Sequence, residues 1–98
     1  MKPSVRLKTH RVEVERILGK YPMISNERVF GSVSRNEDME GSDLDLYVDA
    51  APGTTLFHLG GLREELAALL GVSIDIVTSG TNLHGIMKAN LEHDMRPL

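Results

Sequence analysis

Asp43 and Asp45 stand two residues apart at the head of an apolar run, Asp43-Leu44-Asp45-Leu46-Tyr47-Val48-Asp49, and Gly31-Ser32 precedes them with ten residues between Ser32 and Asp43. Residues i and i+2 of a strand point the same way, which puts the two carboxylates ~7 Å apart on one face. Like charges that close repel unless protons or a cation intervene. Mg²⁺, which binds through one or two carboxylates plus substrate phosphates, uses such a pair directly. A Gly-Ser turn brings backbone N–H groups close to a phosphate, and a helical turn after it adds a favourable dipole. The pattern predicts magnesium-dependent phosphoryl or nucleotidyl transfer. Asp75 lies on a later apolar run with the same parity and is the candidate third carboxylate.

Gly-Ser alone is common in turns, and one aspartate on an open sheet face is ordinarily a solvated side chain. Three carboxylates of matching parity after a Gly-Ser turn favour the metal site over that bland alternative. Arg35 is equally suited to a phosphate and to the surface. Other motifs fail on their own terms. Gly41-Ser42-Asp43 lacks the lysine of a Walker A loop. A calcium loop begun at Asn36 puts Gly41 in the right place but Tyr47 where a bidentate Glu is needed. His10, His58, His84 and His93 show no i, i+4 metal pairing and are assigned surface or structural places. Glu37, Asp38 and Glu40 read as a solvated loop.

The elements that must position these residues follow from periodicity. Ser4 is placed as the cap of a helix from Val5 to about Leu18, with a stripe of Val5, Val12, Ile17 and Leu18, Gly19 as its left-handed stop and Pro22 beyond. Arg28–Phe30 is a first strand ended by Gly31, followed by a short helical turn at Ser32–Arg35 and a loop to Gly41. Asp43–Asp49 is a second strand, with Leu44, Leu46 and Val48 on one face and the aspartates and Tyr47 on the other. Thr54 or Thr55 caps a long helix in which Leu59, Leu62, Leu66, Leu69 and Leu70 recur at helical spacing, with Arg63, Glu64 and Glu65 outward and Gly71 as the stop. Gly60-Gly61 weakens that helix and asks for close packing or a kink. Val72–Val77 is a third strand, and a last helix is expected around His84–Asp94. Strands with one apolar face each predict an α/β (α+β) fold whose sheet is covered by helices on one side and partly open on the other, where Asp43, Asp45 and Asp75 project.

Composition narrows the function classes. The 98 residues suit one domain spanning 1–98, since a chain this long buries roughly 60–70% of its unfolded surface and builds one core. There is no cysteine, which excludes disulfides, thiolate metal sites and cysteine nucleophiles. A reducing, cytoplasmic location fits. The chain shows no signal-peptide pattern and no membrane span. A net charge of −3 argues against direct nucleic-acid binding, whereas a single nucleotide can be held through a metal ion.

Gly31-Ser32, ten residues, then Asp43-X-Asp45, with Asp75 on a later strand, resembles the nucleotidyltransferase superfamily of DNA polymerase beta. Within it the chain is similar to the minimal nucleotidyltransferases, antitoxins of the HEPN/MNT toxin–antitoxin pairs. Leu56-Phe57-His58-Leu59-Gly60-Gly61-Leu62, Leu69–Val77, Leu83-His84-Gly85 and Arg96-Pro97-Leu98 are similar to that subfamily's usual run, so the resemblance covers nearly the whole chain. It implies a small three-stranded mixed sheet. It also implies Gly31 and Ser32 on the nucleotide phosphates, Arg35 at a basic position beside them, and Asp43 and Asp45 on the catalytic Mg²⁺ ions, two in number. Asp75 would complete the metal site and help deprotonate the acceptor. One departure is Asn36, where relatives often carry glycine; Asn tolerates left-handed geometry better than most residues.

The resemblance further implies transfer of AMP from ATP to a tyrosine hydroxyl of a HEPN-domain toxin, which neutralises it. The chain lacks room for an acceptor domain of its own, so an acceptor brought by a partner is reasonable. Two other functions stand beside this one: an antitoxin that neutralises its partner by binding alone, and an orphan small-molecule nucleotidyltransferase.

Overall fold

The computed structural model describes residues 2–78 and 95–98. Four strands form one mixed sheet in the order β3-β2-β1-β4. β1 (Ile24–Phe30) and β2 (Leu44–Ala50) run antiparallel, β2 and β3 (Ile74–Thr78) run parallel, and β4 (Arg96–Pro97) lies antiparallel to β1. The parallel step is made by α3 (Leu56–Leu70), while α1 (Pro3–Thr9) and α2 (Arg11–Gly19) precede the sheet. Among the described residues no helix is long and apolar enough to cross a membrane. The helix expected around His84–Asp94 lies outside the described residues.

β2 is the spine of the core. Leu44, Leu46 and Val48 are completely buried and meet Leu62, Leu66 and Leu70 of α3, Val14 of α2, and Ile24, Val29 and Ile74 of the flanking strands. Each such side chain contributes about 1.5–3 kcal/mol on burial. The helices therefore cover the predicted face. The opposite face is only partly open, because the Arg28 guanidinium lies 4.5 Å above the Tyr47 ring and pairs with Asp49 at 2.7 Å. That lid covers the far end of β2 and leaves the Asp43–Asp45 end accessible.

α3 follows its local signals. Thr55 caps it reciprocally with His58: the Thr55 hydroxyl accepts from the His58 amide, and the His58 ring accepts from the Thr55 amide at 3.0 Å. Gly71, with φ +66°, ends it. Gly61 owes its missing side chain to Tyr21, whose hydroxyl would sit 2.8 Å from a Cβ there and donates to Glu65; Gly60 has nothing within 4 Å.

The N-terminal region departs from expectation. The single helix from Val5 to Leu18 is two helices, with His10 between them at φ −106° and ψ 27°. Thr9 donates its hydroxyl to the Val5 carbonyl at 2.9 Å, a competition that bends helices. Ser4 is not the cap; Lys2 holds that place with Pro3 as first residue. Val5 and Val12 point to solvent, and Pro3 and Val14 are buried instead. Gly19 is helical rather than a left-handed stop, because the chain leaves α2 through right-handed turns, with Lys20 and Tyr21 amides on the Ile17 and Leu18 carbonyls.

The strands differ at their ends. β1 begins at Ile24 rather than Arg28, with a bulge between Ser25 and Arg28 where Asn26 takes φ +51°. Ser25 and Arg28 are strand because Asp49 and Tyr47 of β2 pair with them, not because of their own pattern. β3 starts at Ile74 rather than Val72. β4, the strand beyond the three expected, is too short to show periodicity; Arg28 and Val29 pair with Pro97 and Arg96.

Candidate active site

β1 ends at Gly31, which takes φ +73°. A Cβ there would collide with the Asp45 carboxylate, so the loop starts in contact with the acid it must face. The Gly31 carbonyl accepts the Arg35 amide at 3.2 Å and the Ser34 hydroxyl at 2.8 Å, and the Ser32 carbonyl accepts the Glu37 amide at 2.8 Å. This is the short helical turn expected after Gly31-Ser32. Among the described residues the Ser32 and Val33 amides donate to no backbone carbonyl, as at the start of any helical turn. Asn36 has φ +58°, so it holds the left-handed conformation its type tolerates.

Asp38 is not part of a solvated loop. It is 3% exposed, and its carboxylate accepts the Ser4 amide at 2.9 Å. The loop is thereby pinned to the first turn of α1, whose free amides favour an anion. Met39 and Ser42 close the return, the Met39 amide on the Ser42 hydroxyl and the Ser42 amide on the Met39 carbonyl, both at 2.9 Å. Asp43 then stands exposed, one residue before β2.

Register brings the carboxylates together. Phe30, Asp45 and Asp75 form one row across three strands, Phe30 opposite Asp45 and Asp45 beside Asp75. Asp45 is half-buried and its carboxyl is pushed up to about 6. Burial is the largest cause, followed by the charges of Asp75 and Asp43 and a hydrogen bond with Asp75, against which Arg35 acts in the opposite direction. All three expected acids therefore act on one locus, and Arg35 is close enough to be felt there.

This donor set suits Mg²⁺: hard oxygens only, crowded enough to hold protons in the absence of a cation, and beside a loop with unused amides. Among the described residues no three acidic, histidine or cysteine side chains close a metal site by themselves. Substrate phosphates commonly complete the shell of this ion.

Arg63 escaped the sequence reading, which placed it on the outer face of α3. It borders two adjoining cavities of about 530 Å³ each, one with Asp43 and Asp75 and the other with Asp45 and Asp75. The signal was present in the spacing: Leu56, Leu59, Arg63 and Ala67 form one helical stripe flanking the core stripe. What that stripe faces depends on where β3 lies.

A mixed sheet carrying a glycine-led loop against a pair of carboxylates on adjacent strands defines a nucleotide-handling transferase. A family profile described as "Nucleotidyltransferase domain" matches residues 7–93, and the chain belongs to that family: it is a nucleotidyltransferase of the DNA polymerase beta-like superfamily. It is 37% identical over 86 residues to the protein adenylyltransferase MntA of Thermococcus cleftensis, covering 81% of this chain and 87% of that protein. A solved structure provisionally named a minimal nucleotidyltransferase superposes with a TM-score of 0.76 at 37% identity, over 94% of this chain and 95% of that one. A structure of a tri-AMPylated Shewanella oneidensis HEPN toxin in complex with an MNT antitoxin shares the fold, with a TM-score of 0.65 at 19% identity over 92% of this chain and 69% of that one.

Proposed function

We propose that this chain, as one domain over residues 1–98 acting in the cytoplasm, transfers AMP from ATP to a tyrosine hydroxyl of a HEPN-domain toxin and so serves as its antitoxin. The observation that carries the reading is the Gly31–Asp45 contact beside Asp75: phosphate-binding amides, metal-binding acids and a third acid meet at one place. The protein adenylyltransferase name of the Thermococcus relative and the AMPylated toxin of the Shewanella complex support the acceptor class.

In this mechanism Gly31 and Ser32 hold the triphosphate through backbone N–H groups, and Arg35 adds charge beside them. Asp43, Asp45 and Asp75 would hold magnesium, two ions in the full complement. Such ions would supply positive charge against the phosphates during in-line displacement at the α-phosphorus. Asp75 takes the acceptor proton; the hydroxyl oxygen bonds to that phosphorus, and pyrophosphate leaves with the electron pair of the broken bond.

The test is to incubate the chain with ATP, Mg²⁺ and the HEPN protein encoded beside it, and to map AMP on that partner by mass spectrometry. Labelling of a tyrosine is expected, and Asp43→Asn/Asp45→Asn should abolish it. Equal labelling by the double variant would overturn the assigned roles. Protection of cells by a double variant that no longer labels would instead favour neutralisation by binding.

A further inference from the structure

β3 is an outer strand of the sheet among the described residues, and the cavity beside it is bounded in succession by Asp75, Ile76 and Val77. Successive strand residues point to opposite faces, so a cavity touching all three wraps the edge of the strand. α3 contributes Leu56, Leu59 and Arg63 to the same cavity from one helical stripe. Leu56 is 84% exposed and its neighbour Phe57 is 91% exposed. Leu56 thus stands in water at a cavity that also carries Asp45 and Asp75, with Phe57 exposed next to it in sequence.

Position within the sheet says which reactant this cavity serves. The Gly31 loop lies at the end of β1, Asp45 on β2 and Asp75 on β3, and the cavity runs from Phe30, beside that loop, past Asp45 and Asp75 to Leu56, Leu59, Arg63 and Val77 at the β3 edge. With phosphates on the Gly31 side, the leaving pyrophosphate departs toward β1. In-line displacement brings the attacking oxygen from the opposite side, which is the β3 edge. We infer that the β3 end of this cavity is the acceptor subsite and takes a phenolic side chain of the partner protein, its ring against Leu56, Leu59 and Val77 and its oxygen between Asp75 and Arg63. This rests on the function proposed above and adds the residues that receive the acceptor.

The lining chooses a phenol over an aliphatic alcohol. An aromatic ring covers the leucines, which a serine or threonine would leave wet. A phenol, with a pKa near ~10, also surrenders its proton far more readily than an aliphatic hydroxyl. Among the described residues the ion-pair partner of Arg63 is Glu64 at 3.9 Å, beyond hydrogen-bond reach. Its guanidinium therefore has donors available for the charge that develops on the phenolic oxygen as Asp75 takes its proton, before that oxygen bonds to the α-phosphorus and pyrophosphate leaves with the electron pair of the broken bond.

Methyl-resolved NMR of the full chain tests the site directly. N-acetyltyrosinamide should shift the Leu56, Leu59 and Val77 methyls, and N-acetylserinamide should leave them in place. Equal shifts with both, shifts confined to other methyls, or none up to the solubility of the phenol, overturn the inference. Amide shifts at Gly31 and Ser32 on adding AMP-PNP with Mg²⁺ report the nucleotide reading separately, so either can fail alone. On the tyrosine-bearing partner, Arg63→Gln should lower kcat about ten-fold or more, with the KM for ATP unchanged and partial recovery in Arg63→Lys. The loss should shrink when the acceptor tyrosine is replaced by the more acidic 3-fluorotyrosine. A raised KM for ATP with kcat intact places Arg63 on the triphosphate and overturns its acceptor role.

Discussion

Gly31 and Asp45 are in contact so close that residue 31 has no room for a side chain, and the contact joins the end of β1 to the start of β2 on the face opposite the core. One glycine thereby sets both the turn of the loop after β1 and its distance from the acid that faces it.

Gly31→Ala combines that overlap with a backbone at φ +73°. The conformation alone costs an L-residue about 1–2 kcal/mol, and the Asp45 carboxylate must also move. Thermal melting should show a loss at least that large, and AMP transfer should fall to background.

Asp45 makes stability and activity run in opposite directions with pH. Its carboxyl titrates at about 6 in the folded chain, above the ordinary 3.8, so the folded state binds the proton more tightly than the unfolded state. The stabilisation from the protonated form is fully present below 3.8 and lost as pH rises through about 6. Asp45→Asn should therefore melt higher than the parent above pH 6 and lose that advantage in acid, while transferring no AMP. Transfer by the parent should rise with pH through the same region, and Mg²⁺ should raise its melting temperature above it. A melting curve for Asp45→Asn that tracks the parent at every pH would contradict this.

Asp38→Ala should destabilise the chain by about 1 kcal/mol or more, because the part-buried Ser4 amide loses its acceptor. Asp38→Asn keeps an oxygen there and should recover most of the loss in urea unfolding. The two variants together separate the hydrogen bond from the charge.

Gly60 and Gly61 are neighbours with opposite outcomes. Gly60→Ala meets nothing within 4 Å and should stabilise α3 by about 0.5–1 kcal/mol. Gly61→Ala meets the Tyr21 hydroxyl and breaks its hydrogen bond to Glu65, so it should destabilise despite the better helix former. Guanidinium unfolding of the two single variants gives the comparison.

The amino-acid sequence by itself determined whatever obeys rules that act over a few residues. The alternation of β2 assigned Leu44, Leu46 and Val48 to the core and Asp45 to the other face. Thr54 or Thr55 and Gly71 bounded α3, and the Gly31-Ser32 spacing to Asp43 and Asp45 pointed to the candidate site. Nucleotidyltransferase family membership followed from the same residues. Tertiary structure alone decided which residues meet across the sequence. Register sets Asp45 beside Asp75; pinning to α1 buries Asp38; and the placement of β3 turns Arg63 from an outer-face charge into a wall of the site. β4 exists because β1 offers an edge, since Arg96 and Pro97 carry no strand pattern of their own. The division is physical: side-chain parity and helix caps are fixed by backbone geometry within one element, whereas register, burial and charge coupling arise only when separate elements pack.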